Sequence, residues 1–174
     1  MTRPLTGIIP PLVTPFDANE DLDEAAHTLS TDELRRAVGA AVDEADGRVP
    51  VLVGVIVDST RQAIERAQAL ADLKVAALQV TPVHYLFRPS DDMMVRHFAA
   101  IADAAHVPVM IYNVVPWSYC SPALLVRIIK EVDGVIGVKQ SAGDLKLLAD
   151  LLLLLQGRGV VLSAVDALLY PSFV

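Results

Sequence analysis

Short apolar runs rich in β-branched residues alternate along the chain with longer amphipathic segments. Short continuous apolar runs are typical of buried strands, and apolar residues spaced three or four apart are typical of helices. The pattern predicts strands at Gly7–Thr14, Val49–Val57, Val75–Thr81, Val107–Val114, Val135–Gln140 and Gly159–Val165. It predicts helices at Thr31–Ala45, Ser59–Asp72, Asp91–Ala105, Pro122–Val132 and Asp144–Gln156. This alternation predicts an α/β fold with a parallel sheet and right-handed crossovers.

Several helix starts carry capping residues. The order Ser30-Thr31-Asp32-Glu33 matches a capping box, with Ser30 as N-cap and Glu33 at the third helical position. Ser121 precedes a proline at the first helical position. These signals fix the predicted starts of the first and fourth helices.

Two segments break the alternation. Residues 16–30 hold an acidic loop and a short stub of helical sequence where a full helix and a strand are expected. Residues 166–174 end the chain just after a strand, where another helix is expected to cover the sheet. A structureless stretch of this length inside a compact domain indicates missing chain, so we expect one incomplete domain over residues 1–174.

Composition narrows the class of protein. Apolar residues make up 53% of the 174 residues, and the formal net charge of −7 comes without a basic cluster, which argues against nucleic-acid binding. The single cysteine, Cys120, allows no disulfide framework, which fits the reducing cytoplasm. The longest aliphatic run, Leu151–Leu155, is too short to span a membrane. The four histidines show no metal-ligand spacing.

Lys139 is the strongest candidate for chemistry because it ends an apolar run, Val135–Lys139, that is typical of a buried strand. Desolvation at the mouth of a buried strand favours the neutral amine, which can attack a ketone and form a Schiff base. The alternative is a lysine that extends from the strand end into water. Tyr112 ends the preceding strand, and neighbouring parallel strands bring such ends together over one pocket. A phenol beside an amine can relay protons, although a strand-end tyrosine can also simply pack its ring.

The order of several segments resembles the dihydrodipicolinate synthase / N-acetylneuraminate lyase family. The segments that carry the resemblance are Gly7–Phe16, Val80-Thr81-Pro82, Ile111–Val114 and Ile136–Ser141, which follow in the family's order and spacing over nearly the whole chain. The Tyr-Asn-Val and Gly-Val-Lys-x-Ser segments at this separation are quite specific.

The resemblance implies a (β/α)₈ TIM barrel with its site at the C-terminal ends of the strands. It implies class I aldolase chemistry, in which Lys139 forms a Schiff base with pyruvate or a related 2-oxo acid and Tyr112 relays protons. The imine is the electron sink, so no metal or organic cofactor is needed. It also implies a homotetramer, with a 2-oxo acid and an aldehyde as small-molecule partners and neither nucleic acid nor membrane among them.

Departures from the family bear on both fold and function. The family's Gly-x-x-Gly-Glu loop, which binds the 2-oxo acid carboxylate, is absent, and one helix and one strand are missing between Ala26 and His27. The last strand and the C-terminal helices are also missing after Val174. Six of eight strands therefore remain. Three explanations compete. The sequence is only the ordered part of a longer protein, it belongs to a truncated protein, or it folds as an open parallel sheet with helices on its faces.

The resemblance also assigns residues to the substrate side. Thr14 lines the pocket floor or is a strand-end threonine without a function. Tyr85 is the equivalent of the family's second tyrosine, with His84 as a weaker candidate or simply a loop histidine. The synthase branch has an arginine after the Tyr-Asn-Val segment, and this chain has none there, which argues against aspartate semialdehyde. Trp117 suits an apolar or aromatic aldehyde or packs against a loop. Gln140 and Ser141 are the candidates to orient Lys139 or the substrate.

The sequence therefore favours a cytoplasmic lyase or aldolase acting on pyruvate-like 2-oxo acids. A degenerate member of the family that acts as a binding or scaffold protein is the alternative, because the carboxylate loop is absent. An open α/β sheet that binds a nucleotide is a third possibility, although neither GxGxxG nor GxxxxGK occurs in the chain.

Overall fold

A computed structural model of the protein describes residues 5–11 and 29–173. Within them, strands and α-helices alternate, as the sequence predicted. The strands are β1 (Leu52–Val55), β2 (Ala77–Val80), β3 (Val109–Asn113), β4 (Val135–Gln140) and β5 (Val160–Ser163). The helices are α1 (Thr31–Ala45), α2 (Thr60–Ala69), α3 (Asp91–Ala105), α4 (Pro122–Glu131), α5 (Leu145–Leu155) and α6 (Leu169–Phe173).

The described strands form one parallel sheet in the order β1-β2-β3-β4-β5. Each strand pairs with the next one along the chain, and a helix connects each pair. This is the repeating unit of a parallel α/β barrel, and the described residues supply five such strands. The C-terminal ends of the strands all meet at one edge of the sheet.

The prediction of a strand at Gly7–Thr14 is wrong for its described part. Residues 7–11 form no strand, and residues 12–14 lie outside the described residues. Pro10 and Pro11 lack the backbone N–H that a sheet ladder requires, and Gly7 has a φ of +85°. The described part of the fold thus has five strands where six were predicted. The predicted break between Ala26 and His27 lies outside the described residues and stays a prediction.

The capping residues act as predicted. The Ser30 side chain accepts from the Glu33 backbone N–H, and the Glu33 carboxylate accepts from the Ser30 backbone N–H at 2.8 Å. Ser121 accepts from the Leu124 backbone N–H ahead of a helix that begins with proline. All of the described strands except β4 are shorter than predicted. The 3-10 helix Asp166–Leu168 and α6 lie in the segment 166–174, for which no element was predicted.

The two faces of the sheet pack differently. The outer face is covered by helices, and its core contains Val55, Leu78, Ile111 and Val138 from the strands. The helices contribute large, fully buried side chains to that core, including Met94, Phe98, Ile101, Leu125, Ile128 and Leu151. The inner face carries a smaller apolar cluster at the N-terminal ends of the strands, formed by Leu5, Ala77 and Met110 with Leu52, Ile136, Val160 and Leu162. This cluster is the floor beneath the C-terminal edge.

Candidate functional site

Lys139 and Tyr112 lie side by side on β4 and β3. They are register partners in the parallel ladder, and the Lys139 Nζ atom lies 4.1 Å from the centroid of the Tyr112 ring. Both side chains are half-buried. The structure therefore brings together the two residues that the sequence selected. The amine contacts the face of the ring, a cation–π geometry that attracts a charged ammonium.

An irregularity in β4 sets this arrangement. Val109 pairs with Val135, but the next residue, Met110, pairs with Gly137, so Ile136 is an extra residue in β4. Successive strand residues point to opposite faces, so a regular ladder would have placed Lys139 opposite Asn113 and away from the Tyr112 side chain. The bulge thus moves Lys139 onto the inner face beside Tyr112.

Gly137 allows this bulge because β5 passes very close to it. A Cβ atom at position 137 would lie 2.0 Å from the Val160 carbonyl oxygen, a distance at which backbone must move. Glycine is the residue that permits such close approach of two backbones. Glycine is therefore needed two residues before Lys139 for the bulge that places Lys139 on the inner face.

A buried polar network lies on the outer face behind the two residues. Asn113 donates through Nδ2 to the Cys120 carbonyl at 3.1 Å and to Gln140 Oε1 at 3.0 Å, and its Oδ1 accepts from the Cys120 backbone N–H at 2.9 Å. Asn113 is fully buried, so these bonds form away from water. They fix the loop after β3 to the strand ends. The prediction that Gln140 orients Lys139 is replaced by this contact, because Gln140 points to the opposite face.

Three loops are joined at the C-terminal edge of the sheet. His84 Nε2 lies 3.0 Å from Asp58 Oδ1, which connects the loop after β2 to the loop after β1. The loop after β3 contains the 3-10 helix Pro116–Ser118, where Trp117 Nε1 donates to the His84 carbonyl at 2.7 Å. Ser118 Oγ also donates to the Val83 carbonyl at 2.7 Å. Sequence reasoning missed this connection, because its members are far apart in the chain.

His97 lies beneath this edge, buried within α3. Its Nε2 lies 3.2 Å from the Thr81 carbonyl and its Nδ1 lies 2.8 Å from Thr60 Oγ1. The neutral ring satisfies both, with Nε2–H donating to the carbonyl and Nδ1 accepting from the hydroxyl. Burial lowers the pKa of His97 from 6.5 to about 4, and the nearby His84 adds to that effect. His97 is therefore a neutral structural group that joins α2, α3 and the end of β2.

The predicted substrate-side residues have different surroundings. Tyr85 and Trp117 are both 63% exposed at the C-terminal edge. Ser141 follows β4; its hydroxyl has no hydrogen-bond partner among the described residues, and its carbonyl accepts from the Tyr119 hydroxyl at 3.4 Å. Thr14 lies outside the described residues. Cys120 is buried, and burial raises the pKa of its thiol to about 12, which disfavours the reactive thiolate at neutral pH.

The described structure bears on other kinds of site as well. An open apolar groove of about 390 Å³ lies between α4 and α5, lined by Pro122, Leu153 and Leu154 and separate from Lys139. The described residues contain no group of three or more His, Cys, Asp or Glu side chains placed to hold a metal ion. In the same ranges, no helix is both long and apolar enough to cross a membrane.

The parallel sheet of alternating strands and helices, with its candidate side chains at the C-terminal ends of the strands, defines the class of protein as part of a TIM barrel. Residues 25–173 match the model of the dihydrodipicolinate synthetase family. The chain belongs to that family. The predicted resemblance is thereby confirmed.

Curated relatives agree with this assignment. The chain is 34% identical over 173 residues to the 4-hydroxy-tetrahydrodipicolinate synthase of Salinibacter ruber, covering 84% of this chain and 57% of that protein. It is 34% identical over 194 residues to the enzyme of the same name from Thermomicrobium roseum, covering 96% and 63%. The chain thus spans about three fifths of the length of these relatives.

Solved structures show the same fold. Dihydrodipicolinate synthase from Bacillus anthracis has a TM-score of 0.83 at 26% identity, covering 93% of this chain and 64% of that one. The dihydrodipicolinate synthase from Acinetobacter baumannii, solved with pyruvate, has a TM-score of 0.78 at 29% identity, covering 83% and 50%. The described residues thus correspond to part of a TIM barrel.

Proposed function

We propose that the protein is a class I, Schiff-base aldolase that uses pyruvate or a related 2-oxo acid. The observation that carries the proposal is the pairing of Lys139 with Tyr112 on the inner face at the C-terminal edge of the sheet. Active sites of TIM-barrel enzymes lie at this edge. Two of the similar solved structures, from Escherichia coli K12 and Acinetobacter baumannii, contain pyruvate.

In the proposed reaction, the Lys139 ammonium first loses a proton to water, and the free amine attacks the carbonyl carbon of the 2-oxo acid. The carbinolamine that forms loses its hydroxyl as water, which leaves a protonated imine. Loss of a proton from the neighbouring carbon gives an enamine, and that carbon attacks the aldehyde. Water then releases the product and restores the amine. We assign Tyr112 as the group that accepts and returns protons in these steps, since its phenol is part of the side chain that contacts the amine.

The aldehyde is assigned to the side of the site formed by the loops after β2 and β3. Tyr85 and Trp117 expose aromatic surface there, and Ser141 offers an unpaired hydroxyl among the described residues. Thr14 completes the proposed substrate-binding set. We propose an apolar or aromatic aldehyde as the acceptor, because the segment after Asn113 contains no arginine to hold a second carboxylate.

Covalent trapping tests the proposal. Incubation with pyruvate and borohydride is expected to reduce the imine and leave a stable adduct on Lys139, identified by peptide mass spectrometry. Lys139→Arg abolishes the adduct, and Tyr112→Phe slows its formation by roughly 10²-fold, the usual size of a general acid–base contribution. The matched control, Lys130→Arg, changes an exposed helical lysine and leaves trapping intact. Absence of an adduct with any 2-oxo acid contradicts the proposal.

A non-catalytic binding or scaffold role is the second candidate. The observation that favours it is the absence of the Gly-x-x-Gly-Glu loop from the 174 residues. Intact mass measurement separates the two cases: a mass near 18.7 kDa supports a protein without that loop, and a larger mass supports the enzyme. We also propose a homotetramer, which light scattering on the same sample would test.

A further inference from the structure

The ring of His84 faces acceptors on both sides. Nδ1 lies 2.9 Å from the Pro82 carbonyl and Nε2 lies 3.0 Å from Asp58 Oδ1. A carbonyl oxygen and an ionised carboxylate accept hydrogen bonds and do not donate them. Each contact therefore needs a ring N–H, and the two acceptors together hold the imidazole in one orientation. His97 differs, because its ring meets one carbonyl acceptor and one hydroxyl that can donate.

His84 lies where its contact with Asp58 affects more than one loop. Its side chain is only 14% exposed, whereas that of Asp58 is 57% exposed, so the histidine is the fixed member of the pair. Its backbone carbonyl accepts the Trp117 indole N–H, and the neighbouring Val83 carbonyl accepts the Ser118 hydroxyl. One residue thus joins the loops after β1, β2 and β3.

These loops carry the proposed aldehyde side of the site. Tyr85 follows His84 directly, and Trp117 is hydrogen-bonded to it. Lys139 and Tyr112, by contrast, are held by the ladder between β3 and β4 and do not depend on the loops. Loss of the His84–Asp58 contact should therefore disturb one half of the site and spare the other.

We propose that His84 and Asp58 form a latch that positions the aldehyde-binding loops without taking part in Schiff-base formation. His84 is thus a positioning residue. This inference rests on the proposed aldolase function. The contact acts through the loop backbone, because His84 fixes the carbonyl that receives Trp117.

The latch is tested by measuring pyruvate trapping and the KM for the aldehyde separately in the same variants. His84→Ala and Asp58→Ala are expected to trap pyruvate on Lys139 within about twofold of the parent rate. With benzaldehyde as the acceptor probe, both should raise KM roughly fivefold, the size expected for the loss of one partly exposed hydrogen bond. The double variant should be no worse than either single one, since the two residues form one interaction. Asp58→Asn keeps an oxygen acceptor and should recover most of the parent KM.

Arg127→Ala is the matched control. Arg127 pairs with Asp92 at 2.7 Å on the outer layer, between α3 and α4 and away from the loops. It should change neither trapping nor KM. A KM for benzaldehyde that is unchanged in both latch variants, or a loss of trapping equal to the loss of aldehyde binding, overturns the inference.

Fluorescence provides a readout that does not need turnover. Trp117 is the only tryptophan in the sequence, so its emission reports directly on the latched loops. Both latch variants should increase acrylamide quenching of Trp117, whereas Arg127→Ala should not. Unchanged quenching in both overturns the latch. If the parent protein forms no pyruvate adduct but the quenching differences appear, the latch stands and the proposed aldolase function fails.

Discussion

The free energy of unfolding should change with pH because His97 has a buried imidazole. Its pKa is lowered from 6.5 to about 4 in the folded protein, mainly by burial. Between these values the unfolded chain binds more protons than the folded one, so stability falls as pH falls through this window. At about 1.4 kcal/mol per pKa unit, the loss is about 2 kcal/mol at pH 5 and about 3 kcal/mol below pH 4.

Urea denaturation at pH 7.5, 6 and 5 measures this effect. His97→Gln removes the titrating ring, so its free energy of unfolding should be lower at pH 7.5 but should lose about 2 kcal/mol less than the parent by pH 5. His106→Gln is the matched control, because His106 is an exposed histidine at the C-terminus of α3 and should leave the parent's pH dependence intact. If the His97→Gln profile has the same slope as the parent, the assignment of His97 as a buried neutral group is refuted.

Three further predictions test the packing of the fold and of the site. Gly137→Ala should lower the free energy of unfolding by about 3 kcal/mol or more, because the added Cβ would overlap the Val160 carbonyl oxygen. Gly39→Ala is the matched variant in α1, where the added Cβ meets open space, and it should raise the free energy of unfolding by about 0.5–1 kcal/mol. Thermal melts compare the two. Cys120 should react with a thiol reagent only after unfolding, because burial raises its pKa to about 12. Asn113→Ala should cost about 2–3 kcal/mol in urea denaturation, because it leaves buried partners unpaired.

Each of these expectations has a contrary result. Equal melting temperatures for the two glycine variants would mean that β5 does not approach β4 as described. Rapid labelling of Cys120 under native conditions would mean that the loop after β3 is open. A near-neutral Asn113→Ala would mean that water replaces its contacts.

Much of the fold could be predicted because the signals are local. The bounds of α1, α3 and β4 were predicted correctly from capping residues and from the apolar pattern. The first predicted strand failed in its described part, because its residues look β-prone but its prolines cannot join a ladder. Lys139 and Tyr112 were found because each ends a strand in a specific motif.

The remaining site contacts were not predictable from sequence. The partners of His84 are Asp58 and Trp117, which are 26 and 33 residues away, and nothing local to the histidine marks either one. Nothing in the sequence around His97 marks it, because the histidines show no metal-ligand spacing. Its neutral state depends on burial between α2, α3 and β2, which is a property of packing.

The sequence by itself determined the alternation of strands and helices, the family and the identity of the amine and the phenol. These follow from residue types and short-range order. The tertiary structure decided that the amine and phenol share one face, because that depends on a one-residue bulge between β3 and β4 that shifts the register. It also decided which loops are joined at the C-terminal edge, because those contacts form only when separate strands are brought side by side.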